Sequence, residues 1–233
     1  MHIFYSNQIT DNIATLPEEE SMHCAKVLRL NVGDKVNIID GVGGFYLGEL
    51  LFSHPKHCHI TILESTLEHG KRPYHLHIAL APTKNIDRFE WFLEKATEMG
   101  VDEITPLLCD RSERKEIKLD RSERVVVAAA KQSIHAYMPK VNPMMPLKQF
   151  LSREFDGRKA LAYCEGDTQA QLHHWVMPGE SCIVMVGPEG DFSPAEVALA
   201  MGKGFTPVSL GNSRLRTETA GVMAAAALSL MNC

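Results

Sequence analysis

The segment that most constrains the fold is Ser181-Cys-Ile-Val-Met-Val186, an almost wholly apolar run. A strand covered on both faces reads this way, and such burial is the rule in parallel sheets. From residue 75 to the end, strand-like and helix-like segments alternate around it. His75–Ala81 reads as a strand. A helix follows, with a capping box at Asp87-Arg-Phe-Glu90 and Phe89, Phe92, Leu93 and Ala96 on one side. Glu103–Leu108 is a strand, and Asp120-Arg-Ser-Glu123 opens a helix to about Ser133. Leu147–Arg153 is a short helix and Lys159–Cys164 a strand. Ser193-Pro-Ala-Glu196 caps a helix ending at Gly202–Gly204. Phe205–Leu210 is a strand, and Thr217–Met231 a last, apolar helix. This alternation predicts an α/β domain with a parallel sheet.

The first seventy residues have a different pattern. Met1–Tyr5 reads as a strand. Thr15-Leu-Pro-Glu18 reads as a capped helix start, with the helix running to about Arg29. Lys35–Asp40, Phe45–Phe52 and Cys58–Leu63 read as short antiparallel strands, the first two joined by a tight turn at Gly41-Val-Gly-Gly44. Short strands at this spacing suggest a small β-barrel. Glu68-His-Gly-Lys-Arg-Pro73 is a linker, so the expected domains are 1–70 and 71–233. Charge follows the same division. Residues 1–70 hold four basic and nine acidic side chains, and the rest hold twenty of each, so the net −5 lies in the first third. A protein that coats nucleic acid through bulk positive charge is excluded.

The six cysteines lie at least 18 residues apart, which leaves no C-x-x-C pair for a zinc knuckle or dithiol. They are expected to be reduced and mostly buried, as in a cytoplasmic protein. The start lacks the basic and apolar regions of a signal peptide, and no apolar run nears the roughly 18 residues of a membrane span. His57 and His59, and His75 and His77, alternate along strands without a metal-ligand spacing, so no metal is expected.

Ligands of open α/β sheets sit outside the carboxyl ends of strands. Two such ends are rich in glycine and polar residues: Val186-Gly-Pro-Glu-Gly-Asp-Phe192, and Leu210-Gly-Asn-Ser-Arg-Leu-Arg-Thr-Glu-Thr-Ala-Gly221. Neither is a dinucleotide fingerprint or a phosphate-binding P-loop, and no G-x-S-x-G elbow is present. Arg111–Arg124 holds six basic and four acidic side chains. It reads either as a solvated, salt-bridged segment or as a phosphate-contacting surface that Lys84 and Arg88 extend. Lys26 and Arg29 form a basic pair in the otherwise acidic first third.

Together these segments are recognisable. Glu94-Lys-Ala-Thr-Glu-Met-Gly-Val101, Ala129-Ala-Lys-Gln-Ser133, Val186–Ser193 and Leu210–Ala220 resemble the RsmE family of 16S ribosomal RNA (uracil-N3)-methyltransferases, in the SPOUT superfamily. His23–Asp34 resembles that family's N-terminal PUA-like segment. The resemblance implies an α/β fold with a trefoil-knotted C-terminal domain and a small PUA-like β-barrel. It implies a homodimer, and S-adenosylmethionine as methyl donor. It also implies 16S rRNA of the small subunit as substrate, by family at uridine 1498. By motif, the cofactor residues are Gly187, Glu189, Gly190, Leu210, Gly211, Leu215, Arg216, Thr217 and Ala220. The residues expected to face RNA, read from local basic charge, are Lys26, Arg29, Lys84, Arg88, Arg111, Arg114 and Lys131. The sequence departs from the family at Arg214, which stands one place from the usual first arginine of its loop. Ile134-His-Ala-Tyr137 stands where an arginine often follows Ser133. Asp191 stands where a second glycine is common.

Methyl transfer to uridine N3 needs that atom close to the methyl carbon, and help in losing its proton. Glu218 is the expected base or orienting group, with Glu189 and Asp191 as alternatives. Arg216 is expected to stabilise the developing anion, unless Arg216 and Glu218 simply pair and shape the loop. The rivals are a noncatalytic RNA-binding dimer, which would not need either glycine-bearing loop, and an oxidoreductase, which lacks its fingerprint.

Overall fold

A computed structural model describes residues 2–163 and 170–232. Cys164, the end of one expected strand, and Cys233 lie outside them. The chain divides into two compact units. One runs to Lys71 and takes in Val127–Met138, and the other holds Arg72–Val126 and the chain from Pro139 onward.

The first unit is a six-stranded sheet ordered β1-β4-β5-β6-β3-β2. Its strands are β1 (Ile3–Tyr5), β2 (Ile9–Thr10), β3 (Ile13–Thr15), β4 (Lys35–Ile39), β5 (Phe45–Phe52) and β6 (His59–Thr66). The sheet is not wholly antiparallel as expected, because β1 lies parallel to β4. Phe4, Ala14, Leu16, Val36, Ile38, Leu50, Ile60 and Ile62 fill its core with Cys24 and Cys58. The helix start expected at Thr15 is corrected. Thr15 pairs with His59 as the last residue of β3, which removes it from any cap. Pro17 stands at the helix boundary instead. Helix α1 covers only Glu18–Met22 and passes into a π-turn over His23–Val27. Arg29 then takes φ +53°, ending the helix.

The Gly41–Gly44 turn does more than join β4 to β5. Gly41 and Gly43 have positive φ, and a Cβ on Gly43 would lie 2.3 Å from the Tyr137 ring. Tyr137 and Met138 reach this turn because Ala130 and Ala136 bury against Ile39. This explains why 127–138 sorts with the first unit, although the residues follow an α/β segment in the chain.

The second unit's sheet is ordered β10-β8-β7-β13-β11-β14-β12, with β9 also on β8. The strands are β7 (Leu76–Leu80), β8 (Glu103–Leu108), β9 (Lys140–Val141), β10 (Met145–Pro146), β11 (Arg158–Ala162), β12 (Ala170–Gln171), β13 (Cys182–Val186) and β14 (Thr206–Ser209). Every pairing is parallel. β13 is buried along its whole length, as the apolar run predicted, and so is β7. The helices are α2 (Ile86–Glu98), the start of α3 (Leu119–Ser133), whose residues from Val127 belong to the first unit, α4 (Leu147–Phe150), α5 (Leu172–Trp175), α6 (Pro194–Gly202) and α7 (Thr217–Leu230). Phe150 of α4 and Ala200 of α6 join one core cluster with Ala79, Leu107, Leu161, Ile183 and Met185 of the sheet. α7 packs on β7, β13 and α2.

Two of the expected caps shift. Asn85, not Asp87, caps α2, its side chain accepting from the Asp87 amide at 3.0 Å. Asp120 lies inside α3, which begins at Leu119. The Ser193–Glu196 capping box forms as expected, with Pro194 at the first helical position.

Gly221 is where α7 meets the sheet. A Cβ there would lie 2.4 Å from Leu80 Cδ1 and 2.7 Å from the Phe92 ring. Gly221→Ala is expected to lower stability by about 1–3 kcal/mol through overpacking, read as a shift in the urea midpoint.

One sheet face carries a buried polar network. His77 Nε2 lies 2.7 Å from Thr105 Oγ1, and Asn142 donates to Thr105 Oγ1 at 2.7 Å and to Glu103 Oε1 at 2.6 Å. Burial holds His77 neutral and pushes its pKa down to about 4. Burial opposes ionisation of Glu103, but the hydrogen bond from His75, the neighbouring His77 and Arg153 and the hydrogen bond from Asn142 together outweigh it and bring its pKa to about 2. His75 moves the other way, raised by its bond to Glu103. The unfolded chain therefore binds a proton at His77 between pH 6.5 and 4 where the folded chain does not, and stability falls with pH across that window. His77→Gln is expected to remove that part of the acid loss, at most about 3 kcal/mol. Urea unfolding at pH 7.5 and 4.5 checks this, and an unchanged slope rejects it.

Candidate active site

Because the second sheet is parallel throughout, the chain leaves β7, β8, β13 and β14 on one edge. Both glycine-bearing loops emerge there, at the ends of β13 and β14. The first loop is tightly fixed. The Asp191 amide donates to the Pro188 carbonyl at 2.9 Å, closing a turn. Gly187 is buried, and a Cβ on it would press within 3.2 Å of Phe192 and Asp191. Glu189 Oε1 accepts from the Lys84 amide at 2.9 Å. Ser193 Oγ donates to Asp110 Oδ2 at 2.7 Å, and Glu196 accepts from the amides of Asp110 and Ser193, both at 2.8 Å.

Asp191 has φ +61°. Glycine enters this left-handed region freely and aspartate more readily than most residues. The Asp191 carboxylate also accepts from the Phe192 amide at 2.8 Å. Asp191→Gly is expected to leave stability within about 0.5 kcal/mol. Asp191→Ala, which lacks both features, is expected to lose about 1 kcal/mol. Thermal midpoints of the two variants check this.

The second loop is more open. Gly211 has φ +135°, with the Ser209 hydroxyl donating to its carbonyl at 3.0 Å. Leu210, Leu215 and Ala220 are half-buried, while Arg214 and Arg216 are exposed. Thr217 and Glu218 turn inward at the start of α7 and are buried. Glu218 is 6% exposed, and its Oε2 is buried with no hydrogen-bond partner. Its Oε1 lies 3.8 Å from Arg88 Nε. Among the described residues no ion pair joins Arg216 to Glu218. Arg88, expected on an RNA-facing surface, is the cation beside that carboxylate. Sequence spacing hid this contact because the two residues are 130 positions apart.

The other expected RNA-facing cations are placed as follows. Lys26 and Arg29 are exposed on the first unit. Lys131 pairs there with the buried Glu20, which also accepts from the Tyr5 amide. Lys84 pairs with Glu113 at 2.7 Å. Arg111 Nη1 donates to the Gly190 carbonyl at 2.8 Å. Arg114 donates to the Thr83 and Lys84 carbonyls at 3.0 and 2.6 Å.

Among the described residues no group of three or more His, Cys, Asp or Glu could hold a metal ion. Cys24, Cys58, Cys109 and Cys182 are free and buried. No described helix is long and apolar enough to cross a membrane.

These features define a two-part protein: a parallel α/β unit with a glycine-lined ligand edge, and a separate β unit. A family model described as an RNA methyltransferase domain matches residues 70–229, and one described as an RNA methyltransferase PUA domain matches residues 16–63. The chain is 31% identical over 231 residues to ribosomal RNA small subunit methyltransferase E of Synechocystis sp., covering 96% of this chain and 75% of that protein. It is 29% identical over 224 residues to the protein of that name from Bacillus subtilis, covering 91% and 87%. A solved structure from Porphyromonas gingivalis, described as a probable rRNA-methyltransferase, is similar at TM-score 0.91 and 34% identity, covering 100% of this chain and 98% of that one. A ribosomal RNA small subunit methyltransferase E from Neisseria gonorrhoeae, bound to S-adenosyl methionine, is similar at TM-score 0.87 and 25% identity, with the same coverage. The chain belongs to this RNA methyltransferase family.

Proposed function

We propose that the protein methylates small-subunit ribosomal RNA with S-adenosylmethionine, at N3 of a uridine. The observation that carries the reading is the pair of glycine-bearing loops on one sheet edge, with an unpartnered buried carboxylate oxygen at the start of α7. The residues fit the cofactor. Gly187, Gly190 and Gly211 let backbone amides and carbonyls approach a ligand closely. Leu210, Leu215 and Ala220 offer an apolar lining, and Thr217 a hydroxyl. Glu189 spends one carboxylate oxygen on the Lys84 amide, so it contributes mainly by shaping the loop. When bound, S-adenosylmethionine supplies an electrophilic methyl group.

Uracil N3 is a poor nucleophile while protonated, and it lies on the pairing edge, so the base must leave its pair to react. The Glu218 carboxylate would accept the N3 proton, leaving N3 able to take the methyl group, whose bond to the sulfonium sulfur breaks so that S-adenosylhomocysteine leaves. Arg88 places a positive charge beside the other carboxylate oxygen, its Nε 3.8 Å away. The exposed Arg216 guanidinium is free to meet the uracil oxygens, where negative charge develops.

Support for a homodimer comes from α7. It is apolar on every side, and Val222, Met223, Ala226 and Leu230 are left half-buried or exposed. Such a helix calls for cover on its outer side, and a second copy supplies it. A trefoil knot accords with α7 packing back on β7 and β13 after the chain has passed through β14. The first unit, with Lys26 and Arg29 exposed, is the RNA-binding part, and the protein works in the cytoplasm. Its net negative charge suits a folded ribosomal particle, read partly by shape, better than naked RNA.

Glu218→Gln is expected to cut methyl transfer to small subunits at least about 100-fold. S-adenosylhomocysteine binding should stay within about two-fold of the parent, since a structural role would weaken both. Tritium transfer and calorimetric titration measure the two. Full turnover by the variant removes Glu218 from the base role. No cofactor binding by the folded parent rejects the methyltransferase reading and leaves a noncatalytic RNA-binding dimer.

A further inference from the structure

The charged segment after β8 was expected either to lie in solvent or to meet phosphate. The geometry points to a different use, which rests on the methyltransferase reading: Arg111 and Arg114 are positioning residues that hold the first cofactor loop in its binding conformation.

Three strand-end loops meet at these side chains. They follow β7, β8 and β13, which are neighbours in the sheet in the order β8-β7-β13. Arg111, after β8, donates from Nη1 to the Gly190 carbonyl at 2.8 Å, with Phe192 O further off at 3.4 Å. The peptide between Gly190 and Asp191 is thereby fixed at both ends, its carbonyl by Arg111 and its amide by the Pro188 carbonyl at 2.9 Å. A peptide held this way cannot flip, so the direction of its dipole is set before a ligand arrives.

Gly190 belongs to the same arrangement. A Cβ built on it would lie 3.4 Å from Arg111 Cβ and 3.5 Å from Cδ. The aliphatic stem of Arg111 therefore packs directly under a residue without a side chain, in addition to the polar contact of its head.

Arg114 completes the tie from the other side. It donates from Nε to the Thr83 carbonyl and from Nη2 to the Lys84 carbonyl. The Lys84 amide in turn donates to Glu189. The loop after β7 is thus fixed by Arg114 through its carbonyls, and it fixes Glu189 through its amide. A planar guanidinium can serve two acceptors at once, which a lysine ammonium does less well. Both arginines direct donors at backbone carbonyls of the site, which is the work of positioning rather than of phosphate contact.

The test uses the full-length protein with and without S-adenosylhomocysteine. Arg111→Ala is expected to weaken S-adenosylhomocysteine about five-fold, and Arg111→Ala with Arg114→Ala at least about ten-fold. Turnover at saturating S-adenosylmethionine, and the KM for small subunits, should stay within about two-fold. In the protein without ligand, amide exchange at Asp191, whose amide donates to the Pro188 carbonyl, should quicken several-fold, a readout independent of activity. Arg111→Lys, which keeps the stem and one donor, should recover part of the affinity, and it supplies the measurement if the alanine variant does not fold. Unchanged S-adenosylhomocysteine affinity overturns the proposal. So does a raised KM for small subunits with normal cofactor binding, which would return both arginines to RNA contact. If the parent itself fails to bind S-adenosylhomocysteine, the functional reading falls first, while the exchange measurement still reports whether Arg111 fixes the loop.

Discussion

The parallel ladder of the second unit is the constraint on which the rest depends. In a parallel sheet every strand must be re-entered from the same end, so each exit loop lies on one edge. Here that geometry collects loops from residues 81–85, 109–114, 187–193 and 210–217 within one region of the chain's surface. No local property of any one segment would do so. Its energetic root is the burial of β7 and β13 on both faces, which leaves no polar alternative for those strands. The close approach of α7 at Gly221 then fixes where Thr217 and Glu218 begin.

A buried carboxylate oxygen without a partner is costly, of order 1–3 kcal/mol. Glu218 Oε2 is such an oxygen. The fold does not relieve it by pairing with Arg216, the nearest arginine in sequence, whose side chain stays in solvent. Instead Arg88 stands beside the opposite oxygen at 3.8 Å, outside hydrogen-bond reach. One oxygen therefore has a cation beside it, and the other is enclosed without a hydrogen-bond partner. A purely structural glutamate would more economically be satisfied on both sides. That unsatisfied oxygen is the feature on which the proposed proton-accepting role of Glu218 rests.

How much of this could be read beforehand differs by level. Strands with strong local signals, such as Phe45–Phe52 and Glu103–Leu108, stand where hydrophobic pattern put them. So does the Ser193 capping box, since all its partners lie within four residues. The errors arose where partners are distant. Thr15 carries a fair cap signature, yet pairing with His59 outweighs it. β2, β9, β10 and β12 are two-residue strands defined by their neighbours rather than by their own residues. The move of 127–138 to the first unit depends on Ala130, Ala136 and Tyr137 meeting Ile39 and Gly43, which no linear pattern announces. For the site, glycine and charge density located both loops, because those features reflect backbone demands. The contact of Arg88 with Glu218 was not legible, being set by the packing of α2 against α7.

The cations show why residue type alone misleads. An arginine in a charged loop reads as a phosphate contact, because that is what a guanidinium does well in isolation. The same five donors suit exposed backbone carbonyls at strand ends, and a parallel sheet presents many of them along one edge. Lys84, Arg111, Arg114 and Lys131 each have a partner within their own unit, and two of those partners are the loops themselves. The positive charge available to RNA is therefore smaller than the composition suggests, in a chain that already carries −5 overall. Such a protein gains little from non-specific attraction to phosphate and must rely on shape and on the placement of a few groups. That favours a structured particle over naked RNA as the substrate of the proposed reaction.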